Sequence, residues 1–122
     1  MRKIITKLVV NSTQLFLPGQ PDPVRNCVLT NRSQTWLMVD CEAGYNGGLP
    51  QRFHLDVYNS AVDHLQLNMT SNDAPVFSVG NLPPGTPFVL VIYASNEKGK
   101  SNSVALLGNT LSIRDQENGK IQ

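Results

Sequence analysis

The sequence has few of the features that identify membrane-spanning or nucleic-acid-binding proteins. The net charge of its 122 residues is only +1 at pH 7, with ten basic side chains against nine acidic ones. A balanced charge provides no basic field to attract phosphates. No segment approaches the roughly 18 uninterrupted apolar residues typical of a transmembrane helix. We therefore expect no nucleic-acid partner and no membrane-spanning helix within these residues.

Residues for catalysis are equally scarce. The two histidines, His54 and His64, have no metal-ligand spacing, and Cys27 and Cys41 lack the nearby histidine pair that a zinc site would use. No nucleophile elbow, phosphate loop or dinucleotide-binding motif is present. His54 and Asp56 alternate onto one strand face, which we interpret as a solvated surface. The sequence thus predicts a protein that is not an enzyme, with no cofactor, metal or small-molecule substrate.

Turn-forming residues and short alternating segments are abundant instead. Nine glycines and eight prolines separate apolar-polar alternations, and Gly47-Gly48 supplies the positive φ angles of a tight reversal. Regular strand spacing of about ten residues is typical of an antiparallel sandwich. We predict an all-β, seven-stranded immunoglobulin-like sandwich with strands at 24–30, 36–41, 53–58, 64–70, 75–79, 88–94 and 103–107.

Segment 21–107 contains a proline-marked start, a turn before Pro50, a Leu82-x-x-Gly85-x-x-Phe88 block and an Ala94-x-Asn96-x-x-Gly99 block. With these features the segment resembles a fibronectin type III domain. The resemblance implies three regions: a flexible leader or junction over 1–20, the domain over 21–110 and a polar tail over 111–122.

The same segment is similar to the membrane-proximal fibronectin type III domain of insect sidestep proteins, with nephrin-like adhesion receptors next. The similarity lies in PDPVRNCVLTN, VDCEAGYNGGLPQRFHLDVYN and IYASNEKGKS. It implies a single-pass cell-surface protein with immunoglobulin domains ahead of this module and a membrane span after it. It also implies a role in axon guidance, with beaten-path-like partners bound through domains absent here. A chain complete at 122 residues would instead be secreted.

Two residues depart from the fibronectin type III pattern. Cys41 stands where most such domains carry a core tryptophan, and Phe88 stands where they carry tyrosine. Because the first two strands of this sandwich are neighbours, Cys27 and Cys41 could form a disulfide in an oxidising compartment. Closing a loop of about 15 residues would stabilise the fold by roughly 3 kcal/mol. The alternative is two buried free thiols in a cytosolic domain.

Three Asn-x-Ser/Thr triplets are candidate glycosylation sites. They begin at Asn11, Asn31 and Asn68. We place Asn31 in the turn after the first strand, and Asn68 on the strand face opposite Leu65 and Leu67. Both side chains are therefore expected to be exposed, as a glycan requires.

One strand face is a candidate protein-contact surface. If Phe88, Leu90 and Ile92 face the core, then three residues of the sixth strand and one of the third strand face outward together: Val89, Val91, Tyr93 and Tyr58. The leading hypothesis is an extracellular, non-catalytic spacer or interaction module of an adhesion or guidance receptor. The alternatives are a stand-alone secreted domain that binds protein through this face, and a non-catalytic module of an extracellular enzyme.

Overall fold

Two antiparallel sheets pack face to face in the computed structural model, which describes residues 17–113. One sheet has the order β1-β2-β5; the other has the order β4-β3-β6, with β7 and β8 both pairing with the remaining side of β6. The strands are β1 (Arg25–Arg32), β2 (Leu37–Glu42), β3 (Arg52–Asn59), β4 (His64–Ser71), β5 (Val76–Val79), β6 (Pro87–Asn96), β7 (Gly99–Lys100) and β8 (Val104–Asn109).

This architecture confirms the predicted all-β antiparallel sandwich. Each of the seven predicted segments contains a strand, and the two-residue strand β7, which was not predicted, precedes the last of them. β7 and β8 are separated at Ser101, whose hydroxyl accepts a hydrogen bond from the Ala94 N–H at 2.9 Å and replaces a main-chain partner. The predicted boundaries at 20 and 110 stay a prediction, and residues 1–16 and 114–122 of the leader and tail lie outside the described residues.

Strict alternation along β6 builds the core. Phe88, Leu90, Ile92 and Ala94 are at most 1% exposed, while the residues between them face the other side of the sheet. They meet the inward residues of the second sheet across the sandwich. The other fully or nearly fully buried apolar side chains are Val24, Leu37, Val39, Cys41, Phe53, Leu55, Val57, Phe77, Val79 and Leu82.

A disulfide joins Cys27 of β1 to Cys41 of β2 and confirms the predicted pairing. The register Val28↔Asp40 and Leu29↔Val39 places the two cysteines opposite each other. The next pair is shifted by one residue because Asn26 is an extra residue in β1, in the left-handed region with φ 53°. The bond therefore links two neighbouring strands of one sheet and does not bridge the two sheets.

The chain reaches β1 at one end of the sandwich, which we call the amino-terminal pole. There the Gly19 N–H donates to the Gly47 carbonyl at 2.9 Å, and the Asn96 side-chain amide donates to the carbonyls of Gly19 and Asn46. Two features require glycine at position 47. Its φ is +76°, and a Cβ there would lie 2.2 Å from the Gly19 carbonyl oxygen. The segment before β1 is thus held to two loops that are distant in sequence.

The chain leaves β8 at the opposite end, the carboxyl-terminal pole. Leu111 donates to the Ser33 carbonyl at 2.9 Å and accepts from the Gly85 N–H at 3.0 Å. The buried Thr110 hydroxyl donates to the Pro83 carbonyl at 2.7 Å. Ser33 lies before β2 and the Gly47 loop lies after it, so the poles are separated by at least the length of this six-residue strand, about 20 Å.

Replacing both cysteines should destabilise the domain without changing its architecture. We expect Cys27→Ala/Cys41→Ala to lower the free energy of unfolding by about 3 kcal/mol, because the unfolded chain loses a closed loop. Chemical denaturation with and without reductant measures this. Reduction should shift the wild-type midpoint and leave the double variant unchanged, and a reductant-insensitive wild type would contradict the role assigned to the bond.

Candidate functional site

The outward side of the larger sheet, made by β4, β3, β6 and β8, is the most distinctive surface of the described residues. We call it the outer face. The structure places all four predicted contact residues on it, each half-buried: Tyr58, Val89, Val91 and Tyr93. Their grouping follows from the antiparallel register, which sets Tyr58 directly opposite Val89.

An apolar row crosses the outer face near the carboxyl-terminal pole. In order across the sheet it consists of Leu65, Tyr58, Val89 and Leu107. Leu107 is 76% exposed and Leu65 is 42% exposed, which is unusual for leucines that share one contiguous row. We call these four residues the apolar row.

Neither leucine of this row was predicted to lie on the outer face. Leu65 was expected on the same strand face as Leu67, and that prediction is wrong. The pairs Val57↔Leu67 and Tyr58↔Leu65 leave one extra residue, Gln66, in β4. This bulge turns Leu65 to the outer face, and no residue in the segment signals it. Leu107 could have been identified from the alternation of β8, since Leu106 packs against the core.

A second, more polar row runs beside the apolar row. Asp56 lies opposite Asn68 on one side and opposite Val91 on the other, and Val91 in turn lies opposite Ala105. The candidate glycosylation residue Asn68 therefore belongs to the outer face, where its side chain is exposed. Its exposure was predictable from the alternation of the strand, whereas its place on the contact surface depends on the register with β3.

His54 and Tyr93 stack near the amino-terminal pole of the outer face. Their ring centroids are 4.7 Å apart with an interplanar angle of 18°, and the Lys100 ammonium lies 5.3 Å from the Tyr93 ring centroid. The His54 Nε2 is 2.7 Å from the Ser95 hydroxyl, and its Nδ1 is 3.3 Å from the Thr70 hydroxyl. His54 is thus held by specific neighbours, in contrast with the solvated strand face expected from the sequence.

These surroundings shift two pKa values on the outer face. Burial lowers the pKa of His54, and the neighbouring charges of Arg52 and Lys100 lower it further, against an opposing effect of Asp56. Burial raises the pKa of Tyr93, with added contributions from Asp56 and Tyr58. Both shifts favour the neutral form of the stacked pair.

Of the other two glycosylation candidates, Asn31 lies away from the outer face, in the smaller sheet. Asn31 is exposed, but it lies within β1, which extends two residues beyond the predicted strand, and not in the following turn. Its side-chain oxygen accepts a hydrogen bond from the Arg32 N–H at 2.8 Å. Asn11 lies outside the described residues. Occupancy of all three sites stays a prediction.

Residues 17–113 contain no group of three or more histidine, cysteine or acidic residues arranged to hold a metal ion. Over the same span, no helix has the length and apolar character to cross a bilayer. A cavity of about 240 Å³ opens at the amino-terminal pole and is lined by Pro50, Arg52, Ser95, Asn96 and Glu97.

The pKa shift of His54 predicts a component of pH-dependent stability. Because the folded-state pKa lies below the ordinary value of about 6.5, the unfolded chain binds a proton first as the pH falls. The contribution is therefore fully present above about pH 7 and is lost as the solution is acidified through and below about 6.5. Urea denaturation across that pH range should show a smaller decrease in the free energy of unfolding for His54→Gln than for wild type. His64→Gln, which alters an exposed histidine, should retain the wild-type loss, and identical slopes for all three proteins would contradict this assignment.

Comparisons with known proteins identify the fold. No known family profile matches the sequence, and no curated protein matches it either. Solved structures do match: domains d3-d4 of the rat CD45 extracellular region align with a TM-score of 0.68 and 20% identity, over 76% of this chain and 51% of that one. The chain therefore spans about half the length of the CD45 fragment.

Two further structures have the same arrangement of strands. A two-domain fibronectin type III segment of chicken tenascin aligns with a TM-score of 0.61 and 18% identity, over 73% of this chain and 49% of that one. The fibronectin type III domain of the human collagen α-1(XX) chain aligns with a TM-score of 0.65 and 11% identity, over 79% and 90% of the two chains. At these identities the comparisons establish architecture and not activity. The chain has the fibronectin type III fold.

Proposed function

We propose that the chain is a non-catalytic, extracellular spacer module of a cell-surface recognition protein. The observation that carries this proposal is the placement of the chain's two exits at opposite poles of the sandwich. Each exit is tied down, at the amino-terminal pole by Asn96 and at the carboxyl-terminal pole by Leu111 and Thr110. A unit whose two chain exits are held at opposite poles keeps the flanking segments about one strand length apart.

The disulfide supports an extracellular setting. Disulfides persist in oxidising compartments and are reduced in the cytosol, so the Cys27–Cys41 bond is expected in a secreted or surface-exposed chain. The CD45 domains that share the fold come from an extracellular region. The alternative of two free cytosolic thiols loses support because the cysteines lie directly opposite each other in neighbouring strands.

The sequence similarity to sidestep proteins supports a narrower role within this proposal. The module would be membrane-proximal in a single-pass receptor for adhesion or axon guidance. Contact with beaten-path-type partners would then occur through immunoglobulin domains outside these 122 residues. The spacer would act by setting the distance of those domains from the membrane.

An antibody against residues 17–113 should test the proposed location on cells that express the natural protein. We expect labelling without permeabilisation, and we expect thiol-reactive maleimide to modify Cys27 and Cys41 only after reduction. Sequencing the transcript should also reveal immunoglobulin domains upstream and a hydrophobic span of about 20 residues downstream. Labelling restricted to permeabilised cells, with both thiols reactive at once, would refute the proposal.

A second candidate function is protein binding through the outer face, and the apolar row favours it. The substitution Val91→Asp would be a poor test of this function. Val91 lies opposite Asp56, so the new carboxylate would face an existing one and destabilise the sheet whether or not the face binds a partner. Leu107→Lys is the better probe, because this side chain is 76% exposed on an edge strand. Val76→Lys is the matched control, since it adds the same charge at a 46% exposed valine of the other sheet.

The spacer proposal predicts that Leu107→Lys behaves like the control. Both variants should unfold within about 0.5 kcal/mol of wild type, because the altered side chains are exposed. Fluorescently labelled wild-type and variant chains should then bind equally to cells from the natural source. A selective loss of cell binding by Leu107→Lys, with Val76→Lys unaffected, would replace the spacer function by a docking function.

A further inference from the structure

We propose that Asn68 carries an N-linked glycan and that this glycan covers the outer face, including the apolar row. Asn68 begins the triplet Asn68-Met69-Thr70, and its side chain is exposed in the middle of β4. β4 is an edge strand that pairs only with β3, so the attachment point is open on one side. This inference rests on the proposed extracellular location.

The sheet register determines what lies beneath such a glycan. Side chains of a strand stand roughly perpendicular to the sheet, so Asn68 projects from the outer face directly beside Asp56, and Val91 lies one strand further. Two strand spacings amount to about 10 Å. The two linked N-acetylglucosamine rings that begin an N-glycan are long enough to extend from β4 over β3 and onto β6.

The surface beneath the glycan suits sugar rings. Tyr58 is the diagonal neighbour of Asn68 across the strand pair, within reach of an aromatic contact. Each pyranose has an apolar C–H side that packs on an aromatic or aliphatic surface, while its hydroxyl groups remain in water. The exposed Leu65 and Leu107 continue this surface along the apolar row. A glycan therefore covers apolar area that would otherwise contact solvent.

The attachment is a balanced group transfer. The donor is an oligosaccharide linked to a lipid through pyrophosphate, as used in the secretory pathway. The Asn68 Nδ2 forms a bond to C1 of the first sugar, and the bond between C1 and the pyrophosphate oxygen breaks. The lipid pyrophosphate leaves with the electron pair of that bond, and Nδ2 loses one proton. No oxidant or reductant is involved.

Coverage by a glycan excludes a protein from the same surface. The outer face then serves neither as a docking site nor as an aggregation site, in agreement with a spacer function. Asn31 provides an internal contrast, because it lies in β1 of the other sheet, and a glycan there would leave the outer face open.

Two substitutions at one position test whether Asn68 is modified. The full 122-residue chain is secreted from glycosylating animal cells behind a heterologous signal. Thr70→Ala destroys the triplet, whereas Thr70→Ser preserves it and keeps a hydroxyl near His54. We expect the intact mass of Thr70→Ala to be lower than that of wild type by the mass of one glycan. Thr70→Ser should still carry the glycan. Asn68→Gln serves as a second variant if Thr70→Ala is poorly secreted.

Tyrosine labelling tests whether the glycan covers the face. The chain has three tyrosines, of which Tyr58 and Tyr93 lie on the outer face and Tyr45 is a 64% exposed loop residue away from it. We expect nitration of Tyr58 and Tyr93 to be severalfold slower in the glycosylated chain than after amidase removal of the glycan, with Tyr45 unchanged. Asn31→Gln should leave this protection intact.

The outcomes separate this inference from the proposed function. A secreted, disulfide-bonded chain whose Thr70→Ser and wild-type forms lack a glycan at Asn68 would overturn the inference and leave the extracellular spacer untouched. Equal nitration rates with and without the glycan would overturn the coverage. A natural protein found only inside cells with free thiols would overturn both proposals.

Discussion

The alternation of side chains along β6 is the constraint on which the rest of the structure depends. This strand is paired on both sides, by β3 and by β7 and β8, so its register cannot slip without moving every neighbour. Leu90 and Ile92 are completely buried, and the intervening Val91 therefore faces outward. The same pleat thus builds the core and arranges the outer face.

Bulges modify this regular pattern, and two of them have opposite effects. In β1, the extra residue Asn26 lies next to Cys27, which the register sets opposite Cys41. The disulfide between these two cysteines links the two strands of the smaller sheet. In β4, the extra residue Gln66 turns Leu65 away from the core. One bulge therefore borders a stabilising cross-link, and the other extends an exposed apolar row.

The two poles hold the chain exits, and the outer face lies between them. Hydrogen bonds from Asn96 and Leu111 hold the two chain exits at opposite ends, about one strand length apart. Between them the outer face carries the apolar row beside a glycosylation triplet at Asn68. The tied chain exits agree with the proposed spacer, and the proposed glycan at Asn68 would cover exposed apolar side chains between them.

Strand positions, the inward and outward residues of β6 and the cysteine pairing were all predictable from the sequence, because period-two alternation and neighbouring strands are local properties. The position of Leu65 was not, since a bulge depends on the partner strand and leaves no mark in a single segment. The same limit applies to the neighbourhood of Asn68, Asp56 and Val91, three residues from three strands. The sequence by itself determined which side chains a regular strand such as β6 presents on its two faces. Only the tertiary structure decided which of those side chains meet, because register between distant strands is set by packing across the whole sandwich.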